Sequence, residues 1–318
     1  MNFLSRCTAP LFCGAALVAA AFAAAAQSFP SKTVRIFMPT TGGSTVDIQV
    51  RVIGAKLAER LGATVVVEPR PGGNFIPAMQ GVTLAPPDGH QIGMAVASMA
   101  IMPTSLKIDL FKDLMPLTRI NAFRNVLVAP NSAPFATLPE FIKYAKANPG
   151  KLNYATVSLG GWTHLVGELF RREQGIDIVA VPYGGQVTPA VLGATVDAGI
   201  TGQSEAIAFG KQARVLAVFG PRRDPRLPDV PASGEFGILT TDVDSWIGFV
   251  VRADTPRDLA QRLHAELVAS MRAPDVAEAV RKLNFDLITD DTPEKFARKV
   301  AEDTALWARV IKEANLKF

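Results

Sequence analysis

Apolar residues along the chain fall into short runs closed by turn residues, and between those runs they recur at helical spacing. Val34–Arg35–Ile36–Phe37–Met38 reads as a buried-type strand stopped by Pro39. Asp47 to Leu61 reads as a helix with Ile48, Val52, Ala55 and Leu57 on one side and Gly62 as its stop. Thr64 to Glu68, Gln91 to Val96, Val126 to Ala129, Ile178 to Val181, Val196 to Ile200 and Val215 to Val218 read as further strands. Thr137-x-x-Glu140 is a capping box for a helix that runs from Leu138 to Asn148–Pro149–Gly150. Thr255–Pro256 and Thr292–Pro293 each set a cap and an N1 proline before an amphipathic helix, and the last helix carries Phe296, Val300, Trp307 and Ile311 as core. Strands alternating with helices predict mainly parallel sheets with helices on both faces.

The most informative stretch is Leu152 to Phe170. It opens as a strand, Leu152 to Val157, and closes as a helix with Leu165, Val166, Leu169 and Phe170 at helical spacing. Between them lies Ser158–Leu159–Gly160–Gly161–Trp162–Thr163, two glycines bracketed by hydroxyls. Glycines let backbone amides come close to a ligand, and the first amides of a helix lack acceptors at the positive end of its dipole. The stretch is therefore either an anion socket or a plain strand-to-helix turn with Thr163 as N-cap. Thr40–Thr41–Gly42–Gly43–Ser44–Thr45–Val46, after the first strand, has the same design. Asp47 at its end is an N-cap, the preferred reading, or a ligand contact.

Charge and the amino terminus narrow the setting. Arg6, the Ala-rich apolar run from Leu11 to Ala25 and an A-x-A site before Gln27 read as a secretory signal over residues 1–26. The run is too short and too rich in alanine for a stable spanning helix. Both cysteines, Cys7 and Cys13, fall inside it, so the exported chain has no disulfide framework and no thiolate chemistry. Losing Arg6 lowers the formal net charge from +4 to +3, without the clustered basic stripe of a nucleic-acid binder. The three histidines, at 90, 164 and 264, make no metal-ligand spacing, and no cofactor is expected.

The wording of several segments resembles the Bug receptors, the substrate-binding proteins of tripartite tricarboxylate transporters. NPGKLNYA followed by a Ser/Gly loop, THL and GELF is similar to their signature. VVVEPRPGG, PPDGH, VPYGG, LPDVP and SWIGF match further family segments, and Pro39 to Asp47 is similar to the family's P-F-x-P-G-G-x-x-D with Thr40 in place of an aromatic. The resemblance implies a two-lobed α/β type II periplasmic-binding-protein fold. Crossings near 128 and 248 would make lobe 1 from 27–128 and 249–318 and lobe 2 from 129–248. It further implies a monomeric periplasmic receptor, not an enzyme, that holds a small carboxylate between its lobes for the membrane subunits of the transporter. Carried over residue by residue, the ligand contacts are Thr40, Thr41, Gly42, Gly43, Asp47, Ser158, Gly160, Gly161, Trp162, Thr163, His164 and Thr201. His164 either orients the loop, the preferred role, or reaches the ligand. Arg70 either clamps a carboxylate or, preferably, pins its own loop, and His90 reads as structural. Trp162 stands where the family has a small hydroxyl residue, and Val157 and Gly161 stand where it has serines. An indole there points to a ligand with an aromatic or longer apolar body, or else packs against its own helix.

A secreted serine hydrolase is the rival reading. Gly202–Gln203–Ser204–Glu205–Ala206 nearly spells a nucleophile elbow, with Asp242 and His264 following in order, but the final glycine is missing.

Overall fold

The structure is a computed structural model that describes residues 29–72, 75–101, 112–183, 187–285 and 287–314. The signal segment 1–26 with its cysteines, Gly73–Asn74 and Gly184–Gly185 lie outside the described residues. In chain order the elements are β1 (Val34–Met38), α1 (Thr45–Leu61), β2 (Val65–Pro69), α2 (Ile76–Thr83), β3 (Gln91–Val96), α3 (Ser98–Ile101), β4 (Leu114–Phe123) and β5 (Asn125–Pro130). There follow α4 (Leu138–Ala147), β6 (Leu152–Thr156), α5 (Trp162–Gln174), β7 (Ile178–Pro182), α6 (Val187–Leu192), β8 (Ala198–Gly202), α7 (Gln203–Phe209) and β9 (Ala213–Val218). The chain ends with β10 (Ser245–Arg252), α8 (Arg257–Arg272), α9 (Pro274–Arg281) and α10 (Pro293–Ala314).

The strands form two five-stranded sheets, ordered β2-β1-β3-β10-β4 and β7-β6-β8-β5-β9. The two orders are equivalent strand for strand. In the first, β1 pairs parallel with β2 and β3, and β10 is antiparallel to both β3 and β4. In the second, β6 pairs parallel with β7 and β8, and β5 is antiparallel to both β8 and β9. Four strands of each sheet thus run one way and a single strand is reversed. This is the two-lobed α/β architecture that the resemblance implies; strand-helix alternation predicts the common direction of four strands, and the reversed fifth makes each sheet mixed.

The chain leaves the first sheet at Arg124, between β4 and β5, and re-enters it at Ser245. The expected crossings near 128 and 248 lie within β5 and β10, which belong wholly to the second and first sheets. No glycine or proline marks the step at Phe123–Arg124–Asn125, so the apolar run after it looked like the crossing itself.

These directions decide which sheet ends face each other. β4 runs toward the crossing, and β1, β2 and β3 run with it, so their carboxyl ends point at the second lobe. β5 runs away from the crossing and β8 is antiparallel to it, so the carboxyl ends of β6, β7 and β8 point back at the first lobe.

Helices cover both faces of each sheet. Val50, Ile53 and Leu57 of α1 pack with Leu263 and Leu267 of α8 and Val276 of α9 over one face of the first. Ile48 is not on that inner side; it is 42% exposed, because the helix turns Val50 and Ile53 inward instead. The other face joins a buried cluster that runs without a break from Met79 and Phe296 through Trp307 and Trp162 to Tyr154, Phe170 and Phe219 of the second lobe. The last helix, α10, packs against β4 and α3 of the first lobe and also against α5 of the second. Among the described residues no helix is long and apolar enough to cross a membrane.

The two crossing segments meet where Arg124 Nε lies 3.6 Å from Asp244 Oδ2. Burial of Asp244, reinforced by the neighbouring Asp242, pushes its carboxyl up to about 7 against the pull of Arg124. An unfolded Asp titrates near ~3.9, so the folded protein holds this proton more tightly. The stability it contributes is full below that value and is lost as the pH rises through 7. Melting curves should show Asp244→Asn gaining on the wild type steadily between pH 4.5 and 8; a gap independent of pH counts against the raised carboxyl.

Candidate functional site

Each sheet has one topological switch point on the end that faces the other lobe. β1 is followed by β2 on one side and then β3 on the other, and β6 is followed by β7 and β8 in the same way. Crevices at such points, outside the carboxyl ends of the strands, are where open α/β sheets bind ligands. The two Gly/hydroxyl turns, after β1 and after β6, sit at these two points.

In the first turn Thr41, Gly42 and Gly43 are exposed. The helix starts at Thr45, two residues earlier than expected, and its N-cap is Ser44, whose Oγ accepts the Asp47 N–H at 3.2 Å. Asp47 is therefore not the cap. It is the third helical residue, buried, with Oδ2 accepting the Gly43 N–H at 2.8 Å and Arg51 Nε–H at 2.9 Å. The Ser44-x-x-Asp47 spacing is a capping-box spacing, and it carried this arrangement in the sequence. Burial pushes the Asp47 carboxyl up, but the bonds from Arg51 and Gly43 outweigh it and hold the group below the usual carboxylate range. Asp47 Oδ1 and Thr40 Oγ1 are buried without a hydrogen-bond partner among the described residues.

In the second turn the N-cap is Gly161, with φ −76° and ψ 172°, and not Thr163. Thr163 lies inside the first turn of α5, where its Oγ1 accepts the Val157 N–H at 3.1 Å and pairs with Thr156 Oγ1 at 2.7 Å. It ties the helix start to the strand end. Gly160 has φ +73°, the left-handed region that favours glycine, and its N–H donates to His164 Nδ1 at 3.0 Å. A β-branched residue at Gly160 would strain the turn itself and lower folding stability as well as binding. At Gly161 a Cβ would lie 2.4 Å from Ser158 Oγ, so that glycine permits the close approach of the serine.

Several amides of this turn are occupied: Val157 by Thr163, Gly160 by His164, and Gly161 by the Ser158 carbonyl at 3.2 Å. The first bond of the helix ladder runs from Leu165 N–H to the Gly161 carbonyl at 3.0 Å. The amides of Trp162, Thr163 and His164 precede it and have no intrahelical acceptor. α5 carries no acid in its first turn, whereas α1 carries Asp47.

His164 accepts at Nδ1, which places its proton on Nε2, 4.0 Å from Glu168 Oε1. Burial lowers its pKa, with Glu168 opposing. Glu168 is in turn held by Arg171 at 2.8 Å. This His164–Glu168–Arg171 string, at spacings of four and three on one helix face, escaped the sequence reading although its periodicity was visible.

The Trp162 side chain does not line the turn. It is 5% exposed, its Nε1–H donates to the Val243 carbonyl at 2.9 Å, and its ring meets Trp307 edge-on at 5.0 Å. A buried indole needs an acceptor, and the return crossing supplies it. Only the backbone amide of Trp162 remains with the socket.

Thr201 lies at the end of β8, level with Val157 by continuation of the β6–β8 register. Its hydroxyl donates to the Glu205 carboxylate, which also accepts from Thr188 Oγ1 at 3.2 Å. Arg70 pins its own loop. Its N–H donates to the Met38 carbonyl at 2.7 Å, its guanidinium bonds Glu68 at 2.7 and 3.0 Å, and its charge lies 4.1 Å over the Phe37 ring. His90 Nε2 accepts the Ser31 N–H at 3.1 Å, a structural contact. The hydrolase constellation is not assembled: Ser204 Oγ donates to the Asn284 carbonyl at 2.7 Å, and His264 Nε2 is bonded to the Asp290 carbonyl at 2.9 Å. No hydrogen bond or ion pair among the described residues joins the first turn to the second.

Comparison with known proteins agrees with this fold. The family described as tripartite tricarboxylate transporter family receptor matches residues 49–316. A protein from the tcbD–tcbE intergenic region of Pseudomonas sp. strain P51 is 32% identical over 307 residues, covering 91% of this chain and 88% of the relative. Among solved structures, Rpa4515 of R. palustris with adipate superposes with a TM-score of 0.79 at 26% identity, covering 90% of this chain and 98% of the other. MatC of Rhodopseudomonas palustris with bound malate gives a TM-score of 0.74 at 26% identity, covering 89% of this chain and all of the other (100%).

The acceptor at His164 Nδ1 has a measurable consequence. His164→Ala should lower stability by about 1 kcal/mol at pH 7.5, while His164→Asn, which keeps an acceptor, should lose less. A depressed folded pKa means that the wild-type advantage is present above the unfolded value of ~6.5 and is lost as the pH falls through the lower folded one. Thermal melts at pH 7.5 and 5.0 should show the difference from His164→Asn shrinking at the lower pH.

Proposed function

This chain belongs to the tripartite tricarboxylate transporter receptor family, and from that premise we propose that it captures a small carboxylate between its two lobes and releases it unchanged to membrane subunits of the transporter. The supporting observation is the pair of strand-to-helix turns at equivalent switch points on sheet ends that face each other. Uncompensated helix amides favour an anion without burying a full positive charge. A ligand that touches both turns binds the closed form better than the open one, and that difference drives closure.

The two turns take different parts in this reading. An ionised Asp47 already neutralises the start of α1 and occupies the Gly43 amide, so the first turn is a poor home for a second anion. The start of α5 has no such acid. We assign the carboxylate to the amides of Trp162, Thr163 and His164 and the Ser158 hydroxyl, with Gly160 and Gly161 shaping the loop. Thr40, Thr41 and Gly42 approach the same ligand from lobe 1, where the buried, unpartnered Thr40 Oγ1 and Asp47 Oδ1 suit donors and acceptors on its other end. Thr201 acts through Glu205. The lobes are 29–124 with 245–314 and 125–244, and residues 1–26 direct export to the periplasm. Relatives solved with adipate and with malate support a carboxylate ligand. The separate partners of Ser204 and His264 favour a receptor over a hydrolase.

Purified residues 27–318 should be stabilised by about 2.7 kcal/mol at a carboxylate ligand concentration of a hundred times Kd, read as a higher melting temperature. Gly161→Ala should weaken binding about tenfold or more, the equivalent of ~1.4 kcal/mol, and Ser204→Ala should leave it unchanged. Hydrolysis of ester substrates that disappears in Ser204→Ala would overturn the receptor reading.

A further inference from the structure

The loop that carries the second socket is apolar where it meets solvent. Val157 is 38% exposed and Leu159 is 60% exposed, on either side of Ser158. Both lie at the sheet end that faces the first lobe. Val157 extends β6 on the sheet face opposite Thr156, whose hydroxyl bonds to α5, so it points away from that helix and lies level with Thr201. Neither Val157 nor Leu159 belongs to a buried apolar cluster. A polar residue would serve the turn equally well, because the hydrogen bonds that shape it use the Val157 amide and the Ser158 carbonyl rather than these side chains. Trp162, the aromatic residue of this turn, is turned away and bonded to the Val243 carbonyl.

We propose that Val157 and Leu159 determine specificity, selecting a carboxylate whose body beyond the carboxyl group is apolar, an aliphatic chain or a ring, over a short hydroxy- or tricarboxylate. The carboxylate sits at the start of α5, and its first carbons lie against these two side chains, where closure of lobe 1 removes both surfaces from water. The inference rests on the carboxylate-receptor reading above.

Calorimetry with succinate, adipate, suberate, malate and citrate tests it. Each methylene that becomes buried should tighten binding about fourfold, the factor equivalent to ~0.8 kcal/mol, so adipate should bind on the order of tenfold tighter than succinate, and malate and citrate weakest. In Val157→Ser/Leu159→Ser the gain from succinate to adipate should fall to about threefold or less while succinate itself binds as before. Leu84→Ser, a change at a side chain 79% exposed on α2's far end, should leave the whole series unchanged. Malate or citrate binding tighter than every longer acid overturns the specificity assignment and leaves the receptor reading standing, as does an undiminished chain-length gain in the double variant. Failure of all five acids, and of benzoate and phenylacetate as ring-bearing carboxylates, to bind overturns both.

Discussion

A helix that begins at the carboxyl end of a parallel strand has amides that its own ladder cannot satisfy, and this protein turns two such ends toward each other. That follows from strand direction alone. Because β10 and β5 are the single reversed strands of their sheets and flank the crossings, every other strand must end on the side of the opposite lobe. The switch points then fall opposite one another, and the Gly/hydroxyl turns occupy them. What distinguishes the turns is local chemistry: a buried aspartate completes the first, and a neutral histidine completes the second.

The lobes are not independent bodies joined by two strands. Trp162 opens the socket helix, and its indole rests on Trp307 of the last helix and donates to Val243 in the return crossing. Asn284, carried by the first lobe, accepts at its carbonyl from Ser204 and Arg226 of the second. Rotation of one lobe against the other must carry these contacts along or exchange them, since packed seams offer discrete arrangements rather than continuous deformation. In the proposed reading, the residue that offers a backbone amide to the ligand is also the one whose side chain packs across the two lobes.

Most of this fold was legible in the chain. Short apolar runs gave most of the strands, but not β4, whose apolar residues are broken by Pro116, Thr118, Arg119 and Asn121. Thr137 and Thr292 cap their helices as their spacing indicates, accepting the amides of Glu140 and Lys295 at 3.3 Å each, whereas Thr255 does not, the N-cap there being Pro256. The turns were legible as Gly/hydroxyl segments between strand and helix. What failed was anything that depends on rotation about a helix axis or on a distant partner. Ile48 and Ala55 read as inner residues because they share an apolar face with Val52, whereas the buried stripe runs through Asp47, Val50, Ile53, Gly54 and Leu57, where a carboxylate and a glycine hide it. Ser204 kept a rival reading open because its acceptor, the Asn284 carbonyl, is eighty positions away in sequence. Trp162 looked like a ligand platform because nothing local reveals Val243 or Trp307.

The cations beside the turns bear on how such a site discriminates. Arg51 is bonded to Asp47, and Arg70 to Glu68 and the face of Phe37. Both are already paired with a carboxylate of the chain, whereas a free guanidinium clamping bidentately is the usual way to read a di- or tricarboxylate by charge. Amides at a helix start recognise a carboxylate well but are indifferent to what lies beyond it, since they touch only its oxygens. Discrimination among carboxylates must therefore come from the surfaces flanking those amides, and a pocket discriminates most sharply when a mismatched polar group would be left without a partner against an apolar wall. In the proposed reading the apolar edge of the α5 socket loop serves as a wall of that kind, with the buried, unpartnered oxygens of Thr40 and Asp47 in the first turn as its polar counterpart.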